Sequence, residues 1–186
     1  MAAVPHASLA GPAVEILARY PEGHQRSAVM PLLRLAQEQD GYITEAAVEE
    51  IAGIIGLSSA EVVAVASFYT LFHLKPKGRH VISVCHNIAC TMAGAEEIIE
   101  ALEEELGIGS ENETTPDGAF TLERAECLAT CEIAPCIQVD HDAMIKVSPA
   151  SALTLLEELR ALPSPDGPGA APRWQAPSQP SDPRSV

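Results

Sequence analysis

The chain has 186 residues, 47% of them hydrophobic but only 4% aromatic, and a formal net charge of −15 at pH 7. That length suits one ordinary domain or two small ones around an aliphatic core. A phosphate-binding surface needs clustered Lys and Arg, so the acidity argues against nucleic acid and anionic membranes as partners. No run approaches the ~20 apolar residues of a membrane span, and VVAVASFYTLF, the longest apolar stretch, reads as a buried helix. The N-terminus lacks the basic start and unbroken apolar core of a secretory signal, so a soluble, intracellular, acidic protein is expected.

The first ~75 residues read as short helices with local stop and start signals. Pro12 opens AVEILARY, which ends at the YPEG turn. Ser27 is placed to cap AVMPLLRLAQEQ, with Leu32, Leu33 and Leu35 as its apolar stripe and Pro31 tolerated in the first turn. Gly41 closes that helix. Thr44 caps EAAVEEIAGII, where Val48, Ile51, Ala52 and Ile55 recur at helical spacing and Gly56 stops the run. Ser58 to Glu61 has the pattern of a capping box ahead of a fourth helix through Phe68 and Leu71. Four such helices predict a small bundle, and none carries a catalytic constellation.

After Pro76 and Gly78 the pattern changes. RHVISVC is a β-branched strand whose end delivers Cys85. The loop HNIAC leads into a single helix, TMAGAEEIIEALEEELG, with Met92, Ala95, Ile98, Ile99, Leu102 and Leu106 on one face and Gly107 at its end. A polar loop from Gly109 to Gly118 precedes AFTLERAEC, a strand ending at Cys127. CIQVD and AMIKV, separated by His141 and Asp142, predict a hairpin with a tight turn, and SPASALTLLEELRAL is the last helix. The order β-α-β-β-β-α predicts an α/β layer in which both cysteine-bearing loops leave strand ends. From Pro163 on, seven of the fifteen prolines crowd into a stretch almost without aliphatics, which predicts a disordered tail with Trp174 simply exposed or a docking anchor.

Acid is concentrated too. Twelve carboxylates lie between Glu96 and Glu132 against the single Arg124. They read either as a solvated helix face with a polar loop or as a docking surface for a basic partner.

All five cysteines fall between Cys85 and Cys136. Cys85 and Cys90 are spaced C-x4-C, Cys127 and Cys131 C-x3-C, with 36 residues between the pairs. Disulfides would need an oxidising compartment and would strand one thiol of an odd count. Structural zinc favours tighter knuckles. A [2Fe–2S] cluster has two irons that each take two thiolates, which suits two separate pairs on two loops. The plant-type C-x4-C-x2-C spacing is absent, and a Rieske centre lacks a second histidine to join His86. Spacing does not identify a metal, so zinc and iron–sulfur both stay open on the residues alone. No C-x-x-C is present for a catalytic dithiol, and no glycine-rich nucleotide loop is found.

The segments RSAVMPLLRLAQEQDGYIT, VASFYTLFHLKPKG, VCHNIAC and ECLATCEIAPCIQVD together resemble the ~24 kDa [2Fe–2S] subunit family of NADH-quinone oxidoreductase (respiratory complex I), from about Tyr20 to Arg160. The resemblance implies an α+β organisation, an N-terminal helical bundle over residues 10–75 and a thioredoxin-like α/β domain (β-α-β-β-β-α) over 78–162 carrying the cluster; the Pro-rich tail over 163–186, read from its composition, has no counterpart in the family. It implies cluster ligation by Cys85, Cys90, Cys127 and Cys131, and no catalytic residue of this chain's own. Cys136 is left as a small buried side chain, and His86 as a surface histidine or a hydrogen-bond donor behind the ligands. The family often has Gly-Ala or a similar small pair where this chain has Ala129 and Thr130, so a loop turn needing positive φ meets a Cβ here. The implied function is single-electron exchange with FMN of a flavoprotein subunit that binds NADH, beside further iron–sulfur subunits. The implied setting is the cytoplasmic peripheral arm of a membrane-bound complex or its organellar equivalent, without direct membrane insertion. Related subunits serve NAD-linked hydrogenases and formate dehydrogenases. A zinc-binding thioredoxin-like regulatory module is the reading from another class.

Overall fold

The computed structural model describes residues 6–109, 113–140 and 143–162. The chain divides into two compact units between Lys77 and Gly78.

The first unit contains α1 (Ala10–Leu17), α2 (Val29–Asp40), α3 (Glu45–Ile55) and α4 (Ser59–Phe68). Their apolar faces meet in one cluster that includes Ala13, Leu32, Leu33, Ile51, Val62 and Ala66. The helix ends follow local chemistry. Gly41 and Gly56 close α2 and α3 in the left-handed region, at φ 78° and 69°, where a Cβ would be strained. The Thr44 hydroxyl accepts the Ala47 N–H at 3.1 Å, and Ser58 and Glu61 complete a capping box at the head of α4. Three expectations fail. The apolar run VVAVASFYTLF is not a buried helix: Val62 and Ala66 are buried, but Val63, Phe68, Tyr69 and Leu71 are exposed. Ser27 does not cap α2, because it lies in a 3-10 turn over Gln25–Ala28 that runs straight into the helix. And α4 stops at Phe68, short of Leu71, because Tyr69 is already extended. Among the described residues no single helix is long and apolar enough to cross a membrane.

The second unit is built on a four-stranded mixed sheet of β1 (His80–Cys85), β2 (Phe120–Ala125), β3 (Cys136–Val139) and β4 (Ala143–Lys146), in the order β2-β1-β3-β4. β1 runs parallel to β2 and antiparallel to β3, and β3 runs antiparallel to β4. Ile82 and Val84 of β1 share a core with Ile98, Ile99 and Leu102 of α6 (Ala95–Leu106) and with Leu155, Leu156 and Leu159 of α7 (Pro149–Ala161). Side chains alternate along a strand, so Ser83 and Cys85 lie on the other face from Ile82 and Val84. At the start of the unit, the Gly78 N–H donates to the Thr121 hydroxyl at 2.6 Å, and a Cβ on Gly78 would overlap the Phe120 backbone.

The single helix expected from Thr91 to Gly107 is two. A short α5 (Ile88–Met92) comes first, and Gly94, at φ 98°, separates it from α6. The left-handed glycine redirects the chain, so Met92 is 85% exposed and does not join the buried face of α6. The element order is therefore β-α-α-β-β-β-α. The hairpin turn at His141 and Asp142 lies outside the described residues, as do residues 110–112 of the polar loop and the whole stretch 163–186 with Trp174.

Candidate metal centre

The strand register decides where the sulfurs gather. Cys85 ends β1, one of the two inner strands, and is paired with Ala125 of β2 on one side. On the other side Val84 pairs with Ile137, so one residue further along Cys85 meets Cys136. The chain then leaves β1 through His86 and Asn87. Asn87 accepts the Ile88 N–H at 2.8 Å and starts α5, and the Thr91 hydroxyl donates to the His86 carbonyl at 2.7 Å. This tight re-entry brings Cys90 back over the strand end.

The sulfurs of Cys85, Cys90 and Cys136 lie within 4.8 Å of one another, all three buried. Ala95, Leu128, Ile133 and Ala134 pack around them. Cys127 and Cys131, from the second expected pair, are exposed on the loop that follows β2. Structure and sequence thus agree on Cys85 and Cys90 as neighbours, and the structure adds Cys136 to them. That addition was not legible without the β1–β3 register.

The second loop is nonetheless tied to the first. The Leu128 backbone N–H reaches the Cys85 sulfur, as does that of Asn87. The Ala129 N–H donates to the Cys127 sulfur at 3.4 Å, and the Thr130 hydroxyl donates to the Cys136 sulfur at 3.2 Å. Ala129 holds φ at 58°. The loop does need the left-handed turn, and an alanine supplies it. The loop passes through a cis Ala134–Pro135 peptide into β3.

His86 faces elsewhere: its Nε2 is 3.7 Å from the Glu126 carboxylate. Of the acidic stretch, Glu96 and Glu103 of α6 both contact Arg124, while Glu126 and Glu132 beside the cysteine loop are exposed.

The ionisation of the sulfurs is uneven. Burial opposes charge on Cys85, yet the Asn87 and Leu128 N–H groups and the neighbouring Cys90 and Cys136 thiols hold its pKa below the ordinary cysteine value. Burial pushes Cys90 up to about 12; the Cys136 N–H works against that rise and the Cys85 and Cys136 sulfurs add to it. Crowded sulfurs that cannot all ionise by themselves are what a thiophilic cation relieves, since a coordinating thiol gives up its proton. Buried soft donors, with backbone N–H groups aimed at them, fit an iron–sulfur group in chemistry and in setting.

A family model described as thioredoxin-like [2Fe-2S] ferredoxin matches residues 13–160. The chain belongs to this thioredoxin-like [2Fe-2S] ferredoxin family. Among its relatives, NADH-quinone oxidoreductase subunit 2 of Thermus thermophilus is 43% identical over 148 residues, 79% of this chain and 81% of the relative. A second NADH-quinone oxidoreductase subunit, from Rhizobium meliloti, is 45% identical over 144 residues, 77% of this chain and 84% of its own. A third, from Mycobacterium bovis, is 43% identical over 149 residues, and this chain spans 58% of its length. Of solved structures, an NAD+-reducing [NiFe]-hydrogenase in the air-oxidised state superposes with a TM-score of 0.64 at 22% identity, over 72% of this chain and 23% of that one. That likeness is one of fold.

Proposed function

We propose that this chain is the electron-transfer subunit of an NADH-quinone oxidoreductase, exchanging single electrons with the FMN of a partner subunit that binds NADH. The observation that carries the reading is the gathering of buried cysteine sulfurs at the end of β1, against which the second cysteine loop packs through Leu128 and through the Thr130 hydroxyl, 3.2 Å from the Cys136 sulfur. The names of the relatives at 43–45% identity support the assignment of the complex. When bound, a [2Fe–2S] centre supplies a one-electron donor and acceptor. The ligands would be Cys85, Cys90, Cys127 and Cys131, two thiolates for each iron.

The chain's own residues do the rest. Asn87 and Leu128 aim backbone N–H groups at the Cys85 sulfur and favour its charged form, and the Ala129 N–H donates to the Cys127 sulfur. The apolar floor of buried Ala95 and half-buried Leu128, Ile133 and Ala134 limits water on one side of the site. The exposure of Cys127 and Cys131 leaves the other side open to a partner. In this reading residues 10–75 form a docking bundle, residues 78–162 carry the cluster, and further iron–sulfur subunits assemble alongside on the cytoplasmic, peripheral arm of the complex. NADH oxidation belongs to the whole assembly, not to this chain alone.

The test is iron and acid-labile sulfide per chain in full-length variants. Alanine at Cys85, Cys90, Cys127 or Cys131 should abolish binding, and Cys136→Ser should retain it. Loss in Cys136→Ser together with retention in Cys127→Ala or Cys131→Ala would overturn the ligand set in favour of the three buried sulfurs.

A further inference from the structure

Cys136 has no task in the reading above, yet its surroundings are specific. It is 1% exposed, its sulfur is 3.8 Å from that of Cys90, and its own backbone N–H is directed at the same Cys90 sulfur. On the far side the Thr130 hydroxyl donates to it at 3.2 Å. Thr130 lies inside the Cys127–Cys131 loop, so the contact runs from one ligand loop, through β3, to the other.

We propose that Thr130 and Cys136 form a donor chain onto the Cys90 sulfur, O–H to S–H to S, that sets the reduction equilibrium of the bound cluster. The proposal rests on Cys90 being a ligand. A ligating Cys90 is a thiolate without a proton, so in this pair Cys136 is the donor. Donation from Thr130 to the Cys136 sulfur polarises the S–H and strengthens the second bond, an effect that grows where burial lowers the dielectric. Reduction adds negative charge to the cluster and its sulfurs. A donor to a ligand sulfur therefore stabilises the reduced form more than the oxidised one and raises the potential. Cys136 is thus a positioning residue acting through Cys90, and Thr130 acts through Cys136.

The experiment is a redox titration of the reconstituted full-length chain, followed by the electron paramagnetic resonance of the reduced cluster, with iron per chain measured on each sample. Cys136→Ala should keep its iron and shift the reduction equilibrium about threefold to tenfold toward the oxidised form, tenfold being 59 mV for a one-electron couple. Cys136→Ser, which keeps a donor, should restore most of that shift. Thr130→Val should shift the equilibrium in the same direction by less, and should add nothing in a Cys136→Ala background, since its effect passes through that thiol. An unchanged potential in Cys136→Ala, or full additivity of the two substitutions, overturns the chain while leaving the ligand set intact. Loss of iron from Cys136→Ser overturns the ligand reading instead. If Cys136→Ala does not fold, Thr130→Val alone decides: no shift defeats the proposal.

Discussion

The backbone N–H of Leu128 is directed at the sulfur of Cys85, which brings the second cysteine loop against the end of the first strand. A main-chain donor does not depend on the side chain at position 128. It depends on the loop keeping its turn, and the next residue, Ala129, makes that turn at φ 58°.

An L-residue in the left-handed region costs roughly 1–2 kcal/mol relative to the right-handed one, and glycine escapes most of that cost. Ala129→Gly should therefore hold the cluster as well as the parent and gain up to about 1 kcal/mol of stability, part of the gain being lost to the freer unfolded chain. Chemical denaturation of the two proteins, with iron per chain as the control, checks this. A marked loss of stability would mean that the Ala129 methyl packs usefully despite its backbone.

In the first unit, His6 bridges two carboxylates: Nδ1 is 2.6 Å from Asp40 and Nε2 is 2.7 Å from Glu50. Burial disfavours the charged ring, but hydrogen bonds to Asp40 and Glu50 outweigh it and raise the pKa above 6.5. Glu50 is lowered from 4.5: burial opposes the shift, and the Leu9 N–H, the Ser8 hydroxyl and His6 overcome it. A histidine raised by folding contributes stability that is fully present below 6.5 and is lost as the pH climbs through the folded value. A carboxylate lowered by folding contributes above 4.5 and loses its part as the pH falls through its own folded value. The clamp should thus be strongest between the two. His6→Ala should cost about 2 kcal/mol at about pH 6, where hydrogen bonds to charged partners are lost, and much less at about pH 9. Equal losses at both pH values would show that His6 contributes by packing only.

Gly78 opens the second unit, where a Cβ would overlap the backbone of Phe120, itself buried against the sheet. Backbone cannot swing aside as a side chain can. Gly78→Ala should cost about 2 kcal/mol through forced separation of the chain from β2, with loss of the Gly78–Thr121 hydrogen bond. Denaturation of the full chain reads this directly, and a neutral result would mean that the segment before β1 shifts freely.

Local signals carried much of this structure in the sequence. Thr44, Ser58 with Glu61, and the glycines at 41 and 56 mark helix ends through contacts only a few residues long, and each end lies where those residues put it. Cys85 at a strand end and the antiparallel pairing of CIQV with AMIK were legible for the same reason. What escaped was non-local or too short to have a period. α5 has five residues and no repeat to recognise, and Gly94 looks like one glycine inside a longer helical pattern. The meeting of Cys136 with Cys85 and Cys90 depends on the β1–β3 register, which no single segment specifies. The His6 clamp joins three separate segments. Asn87 could have been found, since an Asn before a short apolar run is a helix start.

An electron carrier that depends on a flavoprotein for its electrons reveals itself in the electron paramagnetic resonance of the reconstituted chain mixed with NADH. Hydride donation needs an acceptor of two electrons together, whereas an iron–sulfur centre takes one. With NADH alone the reduced-cluster signal should be absent, and it should appear once a partner subunit carrying FMN is added. A reduced cluster formed by NADH without the partner would rule out this dependence, and so would a partner that reduces other acceptors normally but never this cluster.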